Sequence, residues 1–169
     1  EAPAFQELSR ARSMLAISKV PAALSIIEEY EEAEEPLIVF SSMRGPIDSL
    51  IERDGWEVIT GGIASSARGP IVDKFQKGGL KGLGLTIGAG GVGITLTTGA
   101  YALFVDLDWN PANNSQAEDR IHRIGQSRPQ LIKRIIANHA LDQKICSILT
   151  KKQRIIEASV GASAIGKGE

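Results

Sequence analysis

The chain has 169 residues, of which 43% are hydrophobic and 23% are charged, and its formal net charge is −1 at pH 7. These values are ordinary for a single globular domain, and no apolar run reaches the ~20 residues that a membrane span needs. The low net charge argues mildly against a nucleic-acid-binding domain, although basic residues are concentrated in the last third of the sequence. The one cysteine, Cys146, excludes an internal disulfide and favours a reducing compartment.

The first half of the chain alternates between helical and strand patterns. Residues 1–20 are predicted to be a lead-in that is helical or partly ordered, and Pro21 suits the first turn of a helix that continues to Glu32. The apolar run Leu37–Phe40 is typical of a strand buried on both faces. The remaining predictions in this half are a helix over Pro46–Arg53 with Ile47, Leu50 and Ile51 inward, a strand over Trp56–Thr60, and a helix to Gln76 that Ser65 or Ser66 caps.

The second half continues the alternation and predicts an α/β fold. Strands that alternate with helices indicate a parallel sheet, which here forms one domain over residues 21–159, followed by a flexible tail over 160–169. The elements predicted in this half are strands over Leu83–Ile87, Ala102–Leu107 and Leu131–Ala137, and helices over Asn113–Ile124 and Leu141–Ala158.

Polar and small residues follow several of the predicted strands directly. In open parallel sheets ligands bind at the carboxyl ends of the strands, so these residues should lie along one edge. The residues concerned are Ser41, Ser42, Thr60, Gly61, Gly62 and the stretches 86–93 and 106–110.

Two arginines stand three residues apart in the predicted helix over Asn113–Ile124. Positions three and four apart share a helix face, so Gln116, Arg120 and Arg123 should point the same way. A pair of guanidinium groups on one face suits a phosphate or a carboxylate. The alternative is a solvated surface helix without a ligand.

A glycine-rich loop, Gly88–Gly93, fits the pattern G-x-G-x-x-G of dinucleotide-binding proteins. A dinucleotide-binding unit needs a full crossover helix after the last glycine, whereas only residues 94–100 separate this loop from the next strand. We therefore reject a Rossmann oxidoreductase. Unobstructed backbone amides in such a loop accept phosphate oxygens, and a tight turn without any ligand remains the alternative.

Three blocks of the sequence resemble motifs V, Va and VI of SWI/SNF-type helicase-like ATPases of helicase superfamily two: Thr86–Leu96, Asp108–Pro111 and Gln116–Gln126. The segment Leu37–Ser42 is similar to motif IV of the same family. The resemblance implies that residues 21–159 are the C-terminal RecA-like lobe of a two-lobe motor. Thr95 in the first block and Ala117–Asp119 in the third are similar to the distant branch that includes annealing helicases and many bacterial and phage members. The resemblance implies an intracellular location, either a bacterial or phage-infected cytoplasm or a nucleus.

The resemblance also implies how such a lobe works. ATP with Mg²⁺ would sit between this lobe and an N-terminal RecA-like lobe that carries the Walker A and Asp-Glu motifs, which are absent here. Arg123 would be the main arginine finger, Arg120 its partner, Gln116 would orient the arginine or the nucleotide, and Gly93 would lie near the nucleotide. The chain alone is therefore expected to lack ATPase activity.

Duplex DNA is the second partner that the resemblance implies, and no membrane partner is expected. The candidate backbone contacts are Ser41, Ser42, Thr60, Gly61, Thr86, Gly90, Gly91, Trp109 and Asn110. Trp109 is equally well explained as a core aromatic, and family members often have an arginine where Ile87 and Gly88 stand. Neither His122 nor His139 has metal-ligand neighbours at suitable spacing, so no metal site is predicted. The competing hypothesis is a stand-alone nucleotide- or nucleic-acid-binding module.

Overall fold

The computed structural model describes residues 2–88, 96, 101–121 and 131–151. Five described strands form one sheet in the order β2-β3-β1-β4-β5, and every neighbouring pair is parallel. The strands are β1 (Leu37–Ser41), β2 (Trp56–Ile59), β3 (Gly82–Thr86), β4 (Tyr101–Phe104) and β5 (Leu131–Arg134). This arrangement confirms the predicted α/β fold with an open parallel sheet.

Five helices connect or precede the strands: α1 (Ala2–Ser18), α2 (Val20–Glu32), α3 (Arg44–Asp48), α4 (Ser65–Gln76) and α5 (Pro111–Asp119). Residues 140–151 are also helical. Pro21 lies in the first turn of α2, where its missing N–H leaves no helical hydrogen bond unmade. Ala23 and Ile27 are four residues apart in α2 and are both buried, so they form the face that packs on the sheet.

Apolar clusters cover both faces of the sheet. Successive residues of β1 point to opposite faces, so each cluster receives alternate residues of this strand. Ile38 and Phe40 join one apolar cluster, to which α4 contributes Phe75 and α5 contributes Ala117. Leu37 and Val39 join a second cluster, which is completed by residues of α2, α3 and the turn after α3. The two faces explain why the β1 sequence is apolar at every position rather than at alternate ones.

Three local predictions were wrong. The helix over Pro46–Arg53 is shorter than expected, since α3 ends at Asp48, and Ile51 is 51% exposed rather than inward. The first residue of α4 is Ser65, and Ala64 is its N-cap without a side-chain hydrogen bond, so neither serine caps it. The helix expected over Asn113–Ile124 begins at Pro111, because Asn110 rather than Asn113 provides its N-cap, and α5 ends at Asp119.

Candidate functional site at the carboxyl rim

The carboxyl ends of the parallel strands meet along one edge of the sheet, which we call the carboxyl rim (residues 41–42, 60–61, 86–88 and 105–110). Backbone hydrogen bonds continue past the strand ends here. The amide of Ser42 donates to Asp106 O at 3.4 Å, and the amide of Ile87 donates to Ser41 O at 2.8 Å. These bonds fix the positions from which the rim side chains project.

A buried polar network lies on this rim around Asp106. The hydroxyl of Ser42 donates to Asp106 Oδ2, and Lys19 Nζ lies 3.7 Å from Asp106 Oδ1 and 2.6 Å from Asp142 Oδ2. Burial raises the pKa of the Asp106 carboxyl, whereas the Ser42 hydrogen bond and the Lys19 charge act in the opposite direction. The network connects the junction of α1 and α2 to β4 and to the C-terminal helical segment.

Helix α1 reaches the same network through Arg12. Its Nη2 donates to Ser42 Oγ at 3.4 Å, and its guanidinium carbon lies 5.1 Å from the centroid of the Trp109 ring. That separation suits a cation–π contact. Arg12 Nε and Trp109 Nε1 are buried and have no hydrogen-bond partner within the described residues. The stacked pair therefore carries two N–H donors that lack an acceptor.

The turn between β4 and α5 is held by side chains that replace backbone partners. Asp108 Oδ1 accepts from the amide of Asn110 at 2.8 Å, and Asn110 Oδ1 accepts from the amide of Ala112 at 3.1 Å. The buried amide of Asn114 accepts from Asp108 N at 2.9 Å and donates to Asp108 O at 2.8 Å. These bonds satisfy groups at the helix start and set the direction of α5 from the rim.

Arg120 follows the last residue of α5 and keeps helical torsion angles, with φ −70° and ψ −27°. Its carbonyl accepts from the amide of Leu96 at 3.1 Å, and its side chain is half-buried. Burial lowers the pKa of Arg120, and the positive charge of Arg68 lowers it further. No carboxylate of the described residues forms an ion pair with Arg120, so the two guanidinium groups offer a place for an anion.

Arg68 comes from the first turns of α4, where its Nε donates to Ile63 O at 3.2 Å. Gln116, which was predicted to share a face with Arg120, is exposed on α5. The structure thus brings α4 and the end of α5 together, a pairing that the spacing of the two motif arginines did not indicate.

The predicted DNA-contact residues differ widely in accessibility. Ser41 is fully buried with its Oγ accepting from Met43 N at 3.1 Å, and Thr60 is 3% exposed. Contact with a DNA strand through either side chain would require the rim to open. Thr86 is half-buried, and its Oγ1 has no partner among the described residues. Gly61 is exposed, with open space where a side chain would stand.

Four predicted site residues lie outside the described part of the chain: Arg123, Gly93, Gly90 and Gly91. Their roles, and the common helix face expected for Arg120 and Arg123, stay predictions.

The sequence did not predict four residues that the structure places at the site: Arg12, Lys19, Asp142 and Asn114. Arg12, Ala16 and Lys19 are spaced by four and three residues, which places them on one helix face. This spacing was a signal that the lead-in packs against the lobe, but the sequence did not show which surface receives it.

Within the described residues, no helix is both long and apolar enough to cross a membrane.

Comparison with known proteins identifies the family. The sequence model of the helicase conserved C-terminal domain matches residues 18–125, which is more than half of the chain. The chain belongs to this helicase C-terminal domain family. The match begins at the end of α1, so Arg12 lies outside it.

Its relatives include SWI/SNF-related ATPases, which confirms the resemblance. The chain is 33% identical over 144 residues to the SWI/SNF-related matrix-associated actin-dependent regulator of chromatin subfamily A-like protein 1 of Drosophila melanogaster, covering 82% of this chain and 19% of that protein. It is 32% identical over 149 residues to an uncharacterized ATP-dependent helicase of Mycoplasma pneumoniae, covering 85% of this chain and 14% of that protein. The chain therefore spans less than a fifth of the length of these two relatives.

A solved structure supports the RecA-like character of this helicase C-terminal domain. The C-terminal part of the Fun30 ATPase domain matches with a TM-score of 0.68 and 25% sequence identity, over 78% of this chain and 45% of that one. The five-stranded parallel sheet and the helices on both of its faces are thus the fold of a helicase C-terminal lobe.

Proposed function

We propose that this chain is the second motor lobe of a DNA-dependent ATPase that moves along duplex DNA without necessarily separating the strands. Membership of the helicase C-terminal domain family supports this role. Because the chain spans only a small part of its relatives, the complete activity needs an N-terminal RecA-like lobe, in the same polypeptide or in a separate chain.

The catalytic contribution of this lobe is a pair of arginine fingers. Arg120 supports the assignment most directly, since it is a half-buried cation beside Arg68 with no carboxylate partner within the described residues. An oxygen of the γ-phosphate would supply the missing anion. Arg123 would be the main finger, Arg120 its partner, and Gln116 would orient one of them. A finger of this kind typically contributes about 10³–10⁵ in rate.

ATP and its Mg²⁺ would be bound mainly by the N-terminal lobe, with Gly93 near the nucleotide. The described residues hold no group of three His, Cys, Asp or Glu side chains that suits a metal ion. The described part of this lobe therefore offers positive charge to the phosphates rather than ligands to the metal. When bound, Mg²⁺ would neutralise charge on the transferring phosphoryl group.

The DNA backbone would lie along the carboxyl rim. Exposed Gly61 and the Trp109–Asn110 turn are neutral groups, and such contacts position a strand without reading its sequence. The hydroxyls of Ser41, Thr60 and Thr86 are buried and would contact the strand only if the rim opened. Asn110 also caps α5, which leads to Arg120, so a contact at this turn would be directly connected to the arginine that we propose to face the nucleotide. This connection supports coupling between DNA contact and hydrolysis.

The test compares Arg123→Ala and Arg120→Ala with Arg44→Ala in the protein that contains both lobes. Arg44 is an exposed arginine paired with Asp48, and serves as the matched control. Arg123→Ala should lower kcat by about 10³-fold or more, with ATP affinity largely kept, and Arg44→Ala should change neither. Normal hydrolysis by Arg123→Ala would overturn the finger assignment. Tight binding of ATP or DNA by the 169-residue chain alone would instead favour a stand-alone binding module.

A further inference from the structure

Arg12 places a guanidinium group on the carboxyl rim from a helix that precedes the family match. It is half-buried, it donates to Ser42 Oγ at 3.4 Å, and it stacks on Trp109 at 5.1 Å. Both neighbours belong to the set of residues proposed to face the DNA backbone. The side chain is therefore held at that surface by two separate contacts, which reduces the entropy that a further hydrogen bond would cost.

Of Arg12, Ser42 and Lys19, only Arg12 has donors available for a phosphate oxygen. A serine hydroxyl has one hydrogen, and that of Ser42 is directed to Asp106 Oδ2 and, at 3.3 Å, to Leu107 O. Ser42 therefore accepts from Arg12 and has no hydrogen left for a phosphate oxygen. Lys19 is directed to Asp106 and Asp142 and is 4% exposed, so it is not accessible either.

The rim network is balanced in formal charge but not in hydrogen bonds. Lys19 and Arg12 face the carboxyl groups of Asp106 and Asp142, yet Arg12 forms no ion pair within 4.0 Å with any described carboxylate. A guanidinium has five N–H donors, and here one is given to Ser42 while Nε has no acceptor. A buried donor without an acceptor is unfavourable, so an anionic oxygen that reached this guanidinium would remove an existing penalty.

We propose that Arg12 is a nucleic-acid backbone ligand, and that its guanidinium donates to a phosphodiester oxygen of the strand on the carboxyl rim. This inference rests on the proposed function, since it adds a residue to the same DNA-contacting surface. It makes α1 part of the DNA interface and supplies a charged donor among rim groups that are otherwise neutral or already paired. A phosphodiester fits better than a neutral acceptor because charge-assisted bonds to a guanidinium are the stronger ones.

The experiment measures duplex DNA affinity at several salt concentrations, using the protein with both lobes. The variants are Arg12→Ala, Arg12→Lys and, as the matched control, Arg10→Ala. Arg10 is an exposed arginine on the same helix that makes no ion pair with the described residues. Arg12→Ala should weaken binding about tenfold and reduce the slope of log affinity against log salt by about one, whereas Arg10→Ala should change affinity less than about twofold. Arg12→Lys keeps the charge, so it should keep the slope while losing part of the affinity.

The outcomes separate this inference from the proposed function. Absence of salt-dependent DNA binding by the unsubstituted protein would overturn both. Normal binding together with an unchanged slope in Arg12→Ala would overturn the role of Arg12 alone. Tighter binding by Arg12→Ala would also overturn it, because α1 would then act as a cover of the rim. Arg12→Lys guards against a folding defect: a folded lysine variant that loses the slope as fully as the alanine variant contradicts a phosphate contact.

Discussion

The two ends of the sheet hold polar clusters of opposite character. At the amino end, the Glu31 carboxylate accepts from Arg53 Nε at 2.8 Å, from Arg53 Nη2 at 2.7 Å and from Trp56 Nε1 at 2.7 Å. The hydrogen bond from Arg53 holds the pKa of Glu31 below its usual range. At the carboxyl rim, by contrast, burial raises the pKa of Asp106. The amino-end cluster stabilises its charge, whereas the carboxyl rim holds a charge against a desolvation penalty.

The location of unsatisfied groups follows the same division. In the described part of the chain, three buried side-chain polar atoms lack a partner, and all lie on or against the carboxyl rim: Arg12 Nε, Thr86 Oγ1 and Trp109 Nε1. Buried polar groups in native proteins are nearly always paired, so the concentration of exceptions at this rim supports the ligand contact that we propose there. The polar groups at the amino end are paired and stabilise the fold. The unpaired polar groups at the rim do not stabilise the fold.

The largest expected effect comes from removing the cation of the rim network. Lys19→Met would leave Asp106 and Asp142 buried without the ammonium group that lies 3.7 Å and 2.6 Å from their carboxylates. Breaking a buried pair by removing one partner costs about 3–5 kcal/mol, because the remaining charge stays desolvated. Urea unfolding of the 169-residue chain should show this loss in the free energy of unfolding.

A double variant identifies the cause of that loss. Adding Asp142→Asn removes one of the two stranded carboxylates but keeps an oxygen that accepts from Ala137 N, which now bonds to Asp142 Oδ2 at 2.7 Å. Lys19→Met with Asp142→Asn should therefore be more stable than Lys19→Met alone. If the single variant loses less than about 1 kcal/mol, the rim network is no more stabilising than an exposed pair.

A substitution in the amino-end cluster should lower the free energy of unfolding by less than Lys19→Met does. The direction in which this contribution changes with pH follows from the pKa of Glu31. Glu31→Gln weakens three hydrogen bonds to a charged acceptor, for which a loss of about 1–3 kcal/mol at neutral pH is expected. Because the folded pKa of Glu31 is lowered, its stabilisation is present above the ordinary glutamate pKa and is lost as pH falls through the folded value. Urea unfolding at several acidic pH values should therefore show a shallower loss of stability in Glu31→Gln.

Asp106→Asn is the matched comparison with opposite sign. A raised folded pKa means that the folded state binds the proton more tightly, so the contribution of Asp106 rises as pH falls from above that raised value towards the ordinary aspartate pKa. Removing this carboxyl should make the acid-side loss of stability steeper over that window. Equal slopes in Glu31→Gln and Asp106→Asn would show that the two clusters do not differ as described.

The fold was predictable because its signals are local. The run Leu37–Phe40 is apolar at every position, and that pattern is typical of a strand that is covered on both faces. Topology then predicted which polar residues gather at one rim, and Ser42 and Asp106 do meet there. One local prediction failed where a turn replaces the helix: beyond Asp48, Leu50 N bonds to Ile47 O and Ile51 N to Asp48 O, and Ile51 is exposed. The other two failed at the starts of α4 and α5, where Ala64 and Asn110 are the N-caps.

The rest of the site depends on contacts between residues far apart in the chain. Arg12 meets Ser42 across 30 positions, and Lys19 meets a carboxylate that the sequence places near the other end. The spacing of Arg12, Ala16 and Lys19 shows that they share one face of α1, but it does not show which part of the lobe that face contacts. Asn114 was missed for a related reason: a buried asparagine breaks the apolar pattern of α5, and its two bonds to Asp108 are visible only once the preceding turn is folded.

The smallest change in the free energy of unfolding is expected from an exposed ion pair. This change is the reference against which the losses in the two clusters are compared. Lys74 Nζ in α4 lies 3.3 Å from Glu57 Oε1 in β2, but the two side chains are 54% and 38% exposed. Water screens such a pair, and holding two long side chains in one geometry costs entropy, so Lys74→Ala should change the free energy of unfolding by less than about 1 kcal/mol. The same urea measurement checks it, with added salt expected to leave the difference between the two proteins small. A larger loss would mean that exposure does not separate the surface pair from the buried networks, and the contrast between the two ends of the sheet would then need another physical cause.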